Sequence, residues 1–216
     1  MTRLIDLTHL FDASTPVAPI LPPVNIEPVL NVEEHCTNVL MCSFPTHAGT
    51  HLDAPRHFSA EGATIDSIGL DVLVGPASFI GLDLELHQEI TGEMLAESGA
   101  HVKRGDRLFI KSGFCTRYRE PDYFEHPYFT ADGVKWVLDA GVSLLAMDML
   151  SPEIPHSLRQ KAFAFPSHCA LLGQGVLIAE NINYPEDLPL RFSAMVLPLP
   201  IRDGDGAPAR ILAEVG

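Results

Sequence analysis

The chain has 216 residues, 46% of them hydrophobic and 19% charged, which is ample for a buried core and rules out a disordered polymer. Its 28 acidic residues against 14 basic ones give a formal charge of −14. That charge repels phosphate backbones and anionic lipid surfaces, so neither nucleic acid nor a membrane is expected as a partner.

In chain order, short apolar segments between turn signals predict strands at Leu4 to Leu7, Asn38 to Phe44, Ala77 to Leu82 and Arg107 to Ile110. The same pattern returns at Ser143 to Met147, Val176 to Ala179, Ala194 to Leu199 and Ala209 to Glu214. Helices are predicted at Gly92 to Ser98, capped by Thr91, and at Ala131 to Asp139, capped by Thr130 and stopped by Gly141. Two further short helices are expected at Ser157 to Gln160 and Ser167 to Leu172. Eighteen prolines and sixteen glycines imply long connections, above all Asp12 to Pro28 and Thr116 to Pro127. No repeat or linker-like tract divides the chain, so a single α/β or α+β domain over residues 1–216 is expected.

No apolar run approaches the roughly 20 residues that span a bilayer. Asp6 stands where a signal peptide would be apolar. Cys36, Cys42, Cys115 and Cys169 form no Cys-x-x-Cys pair, which fits reduced thiols in a cytoplasm better than disulfides or a thiolate zinc site.

The chemistry concentrates between Thr46 and Phe58, where His47, His51, Asp53 and His57 are separated by small or turn-forming residues. His47 and His51 share a face if this stretch is helical, and His51 and Asp53 share one if it is extended; either geometry converges at least two donors. Gly49, Thr50 and Pro55 favour a turn leaving the strand that ends near Phe44 and leading into a short helical segment. Two imidazoles and one carboxylate leave coordination positions open, as a catalytic metal site requires. His57, four residues beyond Asp53, is placed to move a proton for an activated water.

A second cluster runs from Ser167 to Asn181. It sets His168 on a short helix, then a glycine turn, then a strand ending in Glu180, an order that could return Glu180 toward His168. Asp203, Asp205 and Glu214 fit positions of a calcium loop, but Pro208 takes the place of its turn glycine, so a hairpin-type turn is the expectation there. Nucleophile-elbow, phosphate-loop and dinucleotide fingerprints are absent from the sequence. His9, His35, His87, His101, His126 and His156 have no comparable partners and are assigned to surface or packing roles.

Taken together these segments resemble the cyclase-like metal-dependent hydrolases, which include bacterial kynurenine formamidase and isatin hydrolase. The likeness begins at Ile5-Asp6-Leu7-Thr8 and runs through the His-x-Gly-Thr-His-x-Asp-x-Pro-x-His core at His47 to His57. It continues at Asp148 and Ser151 and through His168 to Glu180, and closes at Pro200 and the turn Asp203 to Arg210.

The resemblance implies a compact swivelling β/β/α-type fold with a mixed central sheet and a homodimer or higher homo-oligomer. It also implies one or two zinc or manganese ions held by His47, His51, Asp53, His168 and Glu180, with Asp53 bridging and His57 as general acid/base. The implied activity is hydrolysis of a carbon–nitrogen amide bond in a small aromatic substrate, as in an arylformamidase. The alternatives are a cyclic amide or lactone hydrolase of the isatin hydrolase kind and a metal-binding protein without catalysis. Formamidases of this kind carry a Trp-Pro-Gly-Asp-like pocket segment where this chain has Thr15-Pro16-Val17-Ala18-Pro19-Ile20-Leu21. Phe44, Phe58 and Phe165 are the candidates for an apolar substrate wall in its place, and Trp136 is expected to pack within its helix.

Overall fold

Leu144, Leu145, Ala146 and Met147 are all fully buried, but in two different places: Leu144 and Ala146 join one apolar core, Leu145 and Met147 another. Side chains alternate across a strand, so a strand apolar on both faces must be covered on both. The computed structural model, which describes residues 2–216, shows how.

Its strands are β1 (Arg3–Asp6), β2 (Asn25–Leu30), β3 (Val39–Ser43), β4 (His51–Asp53), β5 (Val74–Gly81), β6 (Glu89–Ile90), β7 (Arg107–Lys111), β8 (Tyr128–Phe129), β9 (Leu144–Met147), β10 (Leu177–Glu180), β11 (Arg191–Pro198) and β12 (Gly206–Val215). The main sheet runs β1-β12-β11-β5-β7-β9-β10-β4, and β4 pairs again with β12, so seven strands close into a mixed barrel with β1 outside the ring. The neighbours β5, β7, β9 and β10 are parallel, and β4, β12 and β11 complete the ring with antiparallel pairs.

All seven ring strands send residues into one core, among them Leu52, Ala77, Phe109, Ala146, Ala179, Val196 and Ala207. The alanines suit the narrow interior of a small barrel. The opposite faces of β7, β9 and β10, with Leu108, Leu145 and Ile178, form the second core under the helices.

Those helices are α1 (Val32–His35), α2 (Leu70–Leu73), α3 (Gly92–Ser98), α4 (Ala131–Ala140) and α5 (Pro166–Gly173). Thr91 and Thr130 cap α3 and α4 as the sequence predicts, and Gly141 ends α4 in the left-handed conformation. Trp136 packs on the second core, where its ring lies so close to Gly99 that a Cβ there would meet it at 2.6 Å.

All eight predicted strands are present, most with ends shifted by one to three residues. Ser157 to Gln160 is corrected to a single 3-10 turn, His156–Leu158, which Pro155 starts and which is too short to bury a face. The connection expected over Asp12 to Pro28 is also corrected, because β2 begins at Asn25 and forms a two-stranded hairpin with β3. This hairpin has no inner face: Leu40 and Met41 are 61% and 62% exposed. Thr116 to Pro127 contains 3-10 structure, including the turn Pro121–Phe124. No helix among the described residues is long and apolar enough to cross a membrane.

Candidate metal centre

The stretch from His51 to Asp53 is extended, and its three residues are the strand that closes the barrel. Leu52 points into the barrel core, so His51 and Asp53 share the outer face. On β10, Glu180 lies opposite His51 and Ile178 opposite Asp53, which puts Glu180 on that face too. Helix α5 packs over the same face and lowers His168 onto it. Register therefore joins residues 51, 53 and 180, and the packing of α5 adds residue 168.

Asp53 divides its two oxygens. Oδ1 faces His47 Nδ1 at 2.7 Å and His51 Nε2 at 3.2 Å, while Oδ2 faces His168 Nε2 at 3.7 Å. Glu180 reaches His51 Nε2 with one oxygen at 3.4 Å and His168 Nε2 with the other at 3.4 Å. All six sequence candidates, His47, His51, Asp53, His57, His168 and Glu180, thus meet in one cluster.

His47 precedes β4 in a loop that Gly49 turns at φ +62°, where a Cβ would meet Thr15 Cγ2 at 2.9 Å. Its ring crosses β12 above Gly206, where any side chain would strike His47 Cε1 at 2.7 Å. His57 ends the 3-10 turn Pro55–His57 and stacks on His47 with ring centroids 3.8 Å apart. It is the most open histidine of the cluster, its side chain 27% exposed.

The charges are arranged to compensate. Burial disfavours the His47 imidazolium, but the Asp53 and Asp205 carboxylates outweigh it and raise its pKa to about 10. Burial likewise opposes charge on His168, and Glu153, Glu180 and Asp53 overcome it to reach about 9. Asp53 is pushed up by burial and down further by His47, ending well below the usual carboxylate range. Burial and the neighbouring Asp53 charge raise Glu180. For His57 burial dominates and lowers the pKa to about 4, so its ring is neutral at neutral pH.

Four further partners, Glu153, Asn181, Tyr123 and Asp205, have no site signal in the sequence. Glu153 is buried and its Oε1 accepts from both the backbone N–H of His168 (2.9 Å) and His168 Nδ1 (3.0 Å), which turns Nε2 toward Asp53 and Glu180. His51 Nδ1 lies 2.8 Å from the Gly49 carbonyl, which also accepts from Asn181 Nδ2 at 2.8 Å, and Tyr123 OH holds Asn181 Oδ1 at 2.5 Å. Asp205, in the turn read as structural only, places Oδ2 2.9 Å from His47 Nε2 and 3.5 Å from His57 Nδ1. The turn signal Asp-Gly-Asp-Gly marked its position but not its chemistry, and Glu153 carries no local signal at all.

These residues fit a divalent cation. His51 Nε2 and Glu180 Oε1 are buried in the middle of the cluster without a hydrogen-bond partner, a state that costs about 1–3 kcal/mol per group. His47, His51 and Asp53 bring one ligand atom each to within 4.8 Å of one another, as do Asp53, His57 and His168. Imidazole with carboxylate is a donor set for borderline transition metals.

An aromatic wall borders the cluster. Phe58 stacks 4.8 Å from the His168 ring and 5.4 Å from Phe165. Phe44 packs edge-on to Phe11 at 5.2 Å.

Barrel, cluster and wall define the class, an α/β enzyme built around a metal-ligating centre. The family model described as "Putative cyclase" matches residues 5–154. A kynurenine formamidase of Geobacillus thermodenitrificans is 30% identical over 212 residues, covering 97% of this chain and 96% of that protein. A kynurenine formamidase of Salinibacter ruber is 32% identical over 184 residues, 83% of this chain and 81% of the relative. The chain belongs to the cyclase family. Among solved structures, isatin hydrolase A of Labrenzia aggregata superposes with a TM-score of 0.88 over 99% of this chain and 94% of that one at 23% identity. A potential metal-dependent hydrolase with cyclase activity does so at 0.81 over 99% and 98%, at 24% identity.

Proposed function

We propose that this protein is a metal-dependent amidohydrolase that cleaves a non-peptide carbon–nitrogen bond of a small aromatic substrate, in the manner of an arylformamidase. The observation that carries this reading is the pair of unpartnered buried atoms, His51 Nε2 and Glu180 Oε1, inside a ring of donors beside a neutral, half-open His57. The kinship with kynurenine formamidases supports the substrate class.

His47, His51 and Asp53 would hold one zinc or manganese ion, and Asp53, His168 and Glu180 a further one. A cation bound there supplies the Lewis acidity that makes water nucleophilic and polarises a carbonyl. His57 does the proton work: with Nδ1 beside Asp205, its Nε2 takes the proton of the attacking water and returns it to the departing nitrogen. Asp205 steadies the imidazolium so formed. Phe58 and Phe165 pack against the substrate ring and keep bulk water from the cluster.

Metal analysis of purified protein, followed by assays on N-formylkynurenine and isatin with zinc and manganese, tests the reading. Tight binding of at least one ion and turnover of the formamide are expected. Metal-replete protein inert toward formamides, imides and lactones would overturn it and leave a binding protein. The exposed β2–β3 hairpin supports assembly as a homodimer, and the free thiols support a cytoplasmic enzyme. Sedimentation analysis checks the first.

A further inference from the structure

Arg159 is a half-buried cation that the mechanism above leaves without work. Its guanidinium lies 5.0 Å above the Phe163 ring and 5.1 Å above the Phe165 ring, and those rings meet edge-on at 5.2 Å. Nε donates to the Ile154 carbonyl at 2.8 Å, which fixes the plane of the group. Among the described residues, neither terminal nitrogen has a hydrogen-bond partner and no carboxylate lies within salt-bridge distance of Arg159. In a chain where acidic residues outnumber basic ones two to one, a partly dehydrated guanidinium without a carboxylate is conspicuous.

Its surroundings tie it to the site. Phe165, on which it rests, lies 6.2 Å from the His168 ring and 5.4 Å from Phe58, so one aromatic side chain separates the guanidinium from a cluster histidine. Phe165 is held at φ +50°, a backbone state uncommon for a bulky residue. Burial lowers the Arg159 pKa while Glu153 and Glu180 oppose that, which places both buried carboxylates within its field.

We propose that Arg159 is a specificity-determining residue, and that its free terminal nitrogens bind a carboxylate on the aromatic substrate while Phe165 and Phe58 carry the ring toward the cluster. A planar fork of two N–H donors suits a carboxylate in a way that a lysine point charge does not. The preferred substrate is then an anionic aryl amide. This rests on the amidohydrolase reading, and it assigns recognition to a residue that touches no proposed ligand.

The test compares 2-, 3- and 4-formamidobenzoate with formanilide as substrates of the metal-loaded protein. Wild type should favour the best formamidobenzoate by tenfold or more in kcat/KM. Arg159→Gln should erase that ratio through KM, and Arg159→Lys should restore part of it. Equal use of charged and neutral substrates by wild type, or an unchanged preference in Arg159→Gln, would overturn the anchor. If wild type hydrolyses none of them, turnover of N-formylkynurenine decides the formamidase reading, and calorimetric binding of benzoate against benzyl alcohol decides the anchor by itself. Tenfold weaker benzoate binding in Arg159→Gln supports it, and equal binding in both proteins refutes it.

Discussion

His168 and His57 sit in the same cluster and are built in opposite ways. His168 comes from a helix, is buried, and has its Nδ1 and its backbone N–H tied to one oxygen of Glu153. His57 ends a single 3-10 turn, is 27% exposed in its side chain, and is held by stacking on His47, an edge contact with Phe58 at 4.5 Å and a 3.5 Å approach to Asp205. A ligand must present one nitrogen in one direction; a proton carrier must change charge and partner in each cycle. The difference in clamping matches the two tasks proposed for them.

Replacing the loose histidine breaks this contrast most sharply. His57→Ala should lower kcat by about 10²–10⁴-fold, the range typical of a lost general acid/base, with metal content unchanged on elemental analysis. Loss of metal together with activity would instead make His57 a ligand, a position its distances to Asp53 and His168 also allow. Loosening the clamped histidine comes next. Glu153→Gln should weaken metal binding by about 10–100-fold, read by competition with a chelator, because the amide no longer favours a proton on Nδ1. Asn181→Ala should act in the same direction through Gly49 and His51.

A steric change sharpens the comparison from below. Gly206→Ala places a Cβ 2.7 Å from His47 Cε1 and 2.8 Å from the Leu52 carbonyl. It should cost about 1–3 kcal/mol in a denaturant titration and disturb His47 before His168.

The last effect lies outside the cluster. Burial of His126 lowers its pKa from 6.5 to about 4. The unfolded chain then takes up this proton before the folded one, so the contribution to stability is complete above pH 6.5 and is lost as pH falls toward 4. The thermal midpoint of wild type should fall through that window, and His126→Gln should flatten the slope. An equal slope in both proteins would assign the acid sensitivity elsewhere.

Much of this was readable in the chain and some could not have been. The strands of the second half announce themselves because β9 and β10 are buried on both faces and so are apolar throughout. His47, His51, Asp53 and His57 are close in sequence, and local spacing sufficed to group them. His168 and Glu180 could be paired because one helix, one turn and one strand separate them. Glu153 and Arg159 have no such locality: each lies in an irregular segment whose path only the packed molecule decides. The first strand of the β2–β3 hairpin is not legible in the sequence because the hairpin buries neither face and so lacks the alternation that marks a strand. Within residues 46–58 the sequence left helix and extended chain open; pairing of β4 with two neighbours makes His51 to Asp53 extended, and the short helical segment follows at Pro55–His57.

That double pairing has a wider consequence. The three residues His51 to Asp53 are the seam at which the barrel shuts, and two of them are ligand candidates. A slip of one residue in this seam would turn His51 and Asp53 inward and Leu52 out, spoiling the interior and scattering the donors in one stroke. Correct folding thus proofreads the candidate centre: a chain that has closed its barrel already has its two ligand candidates on β4 facing the right way.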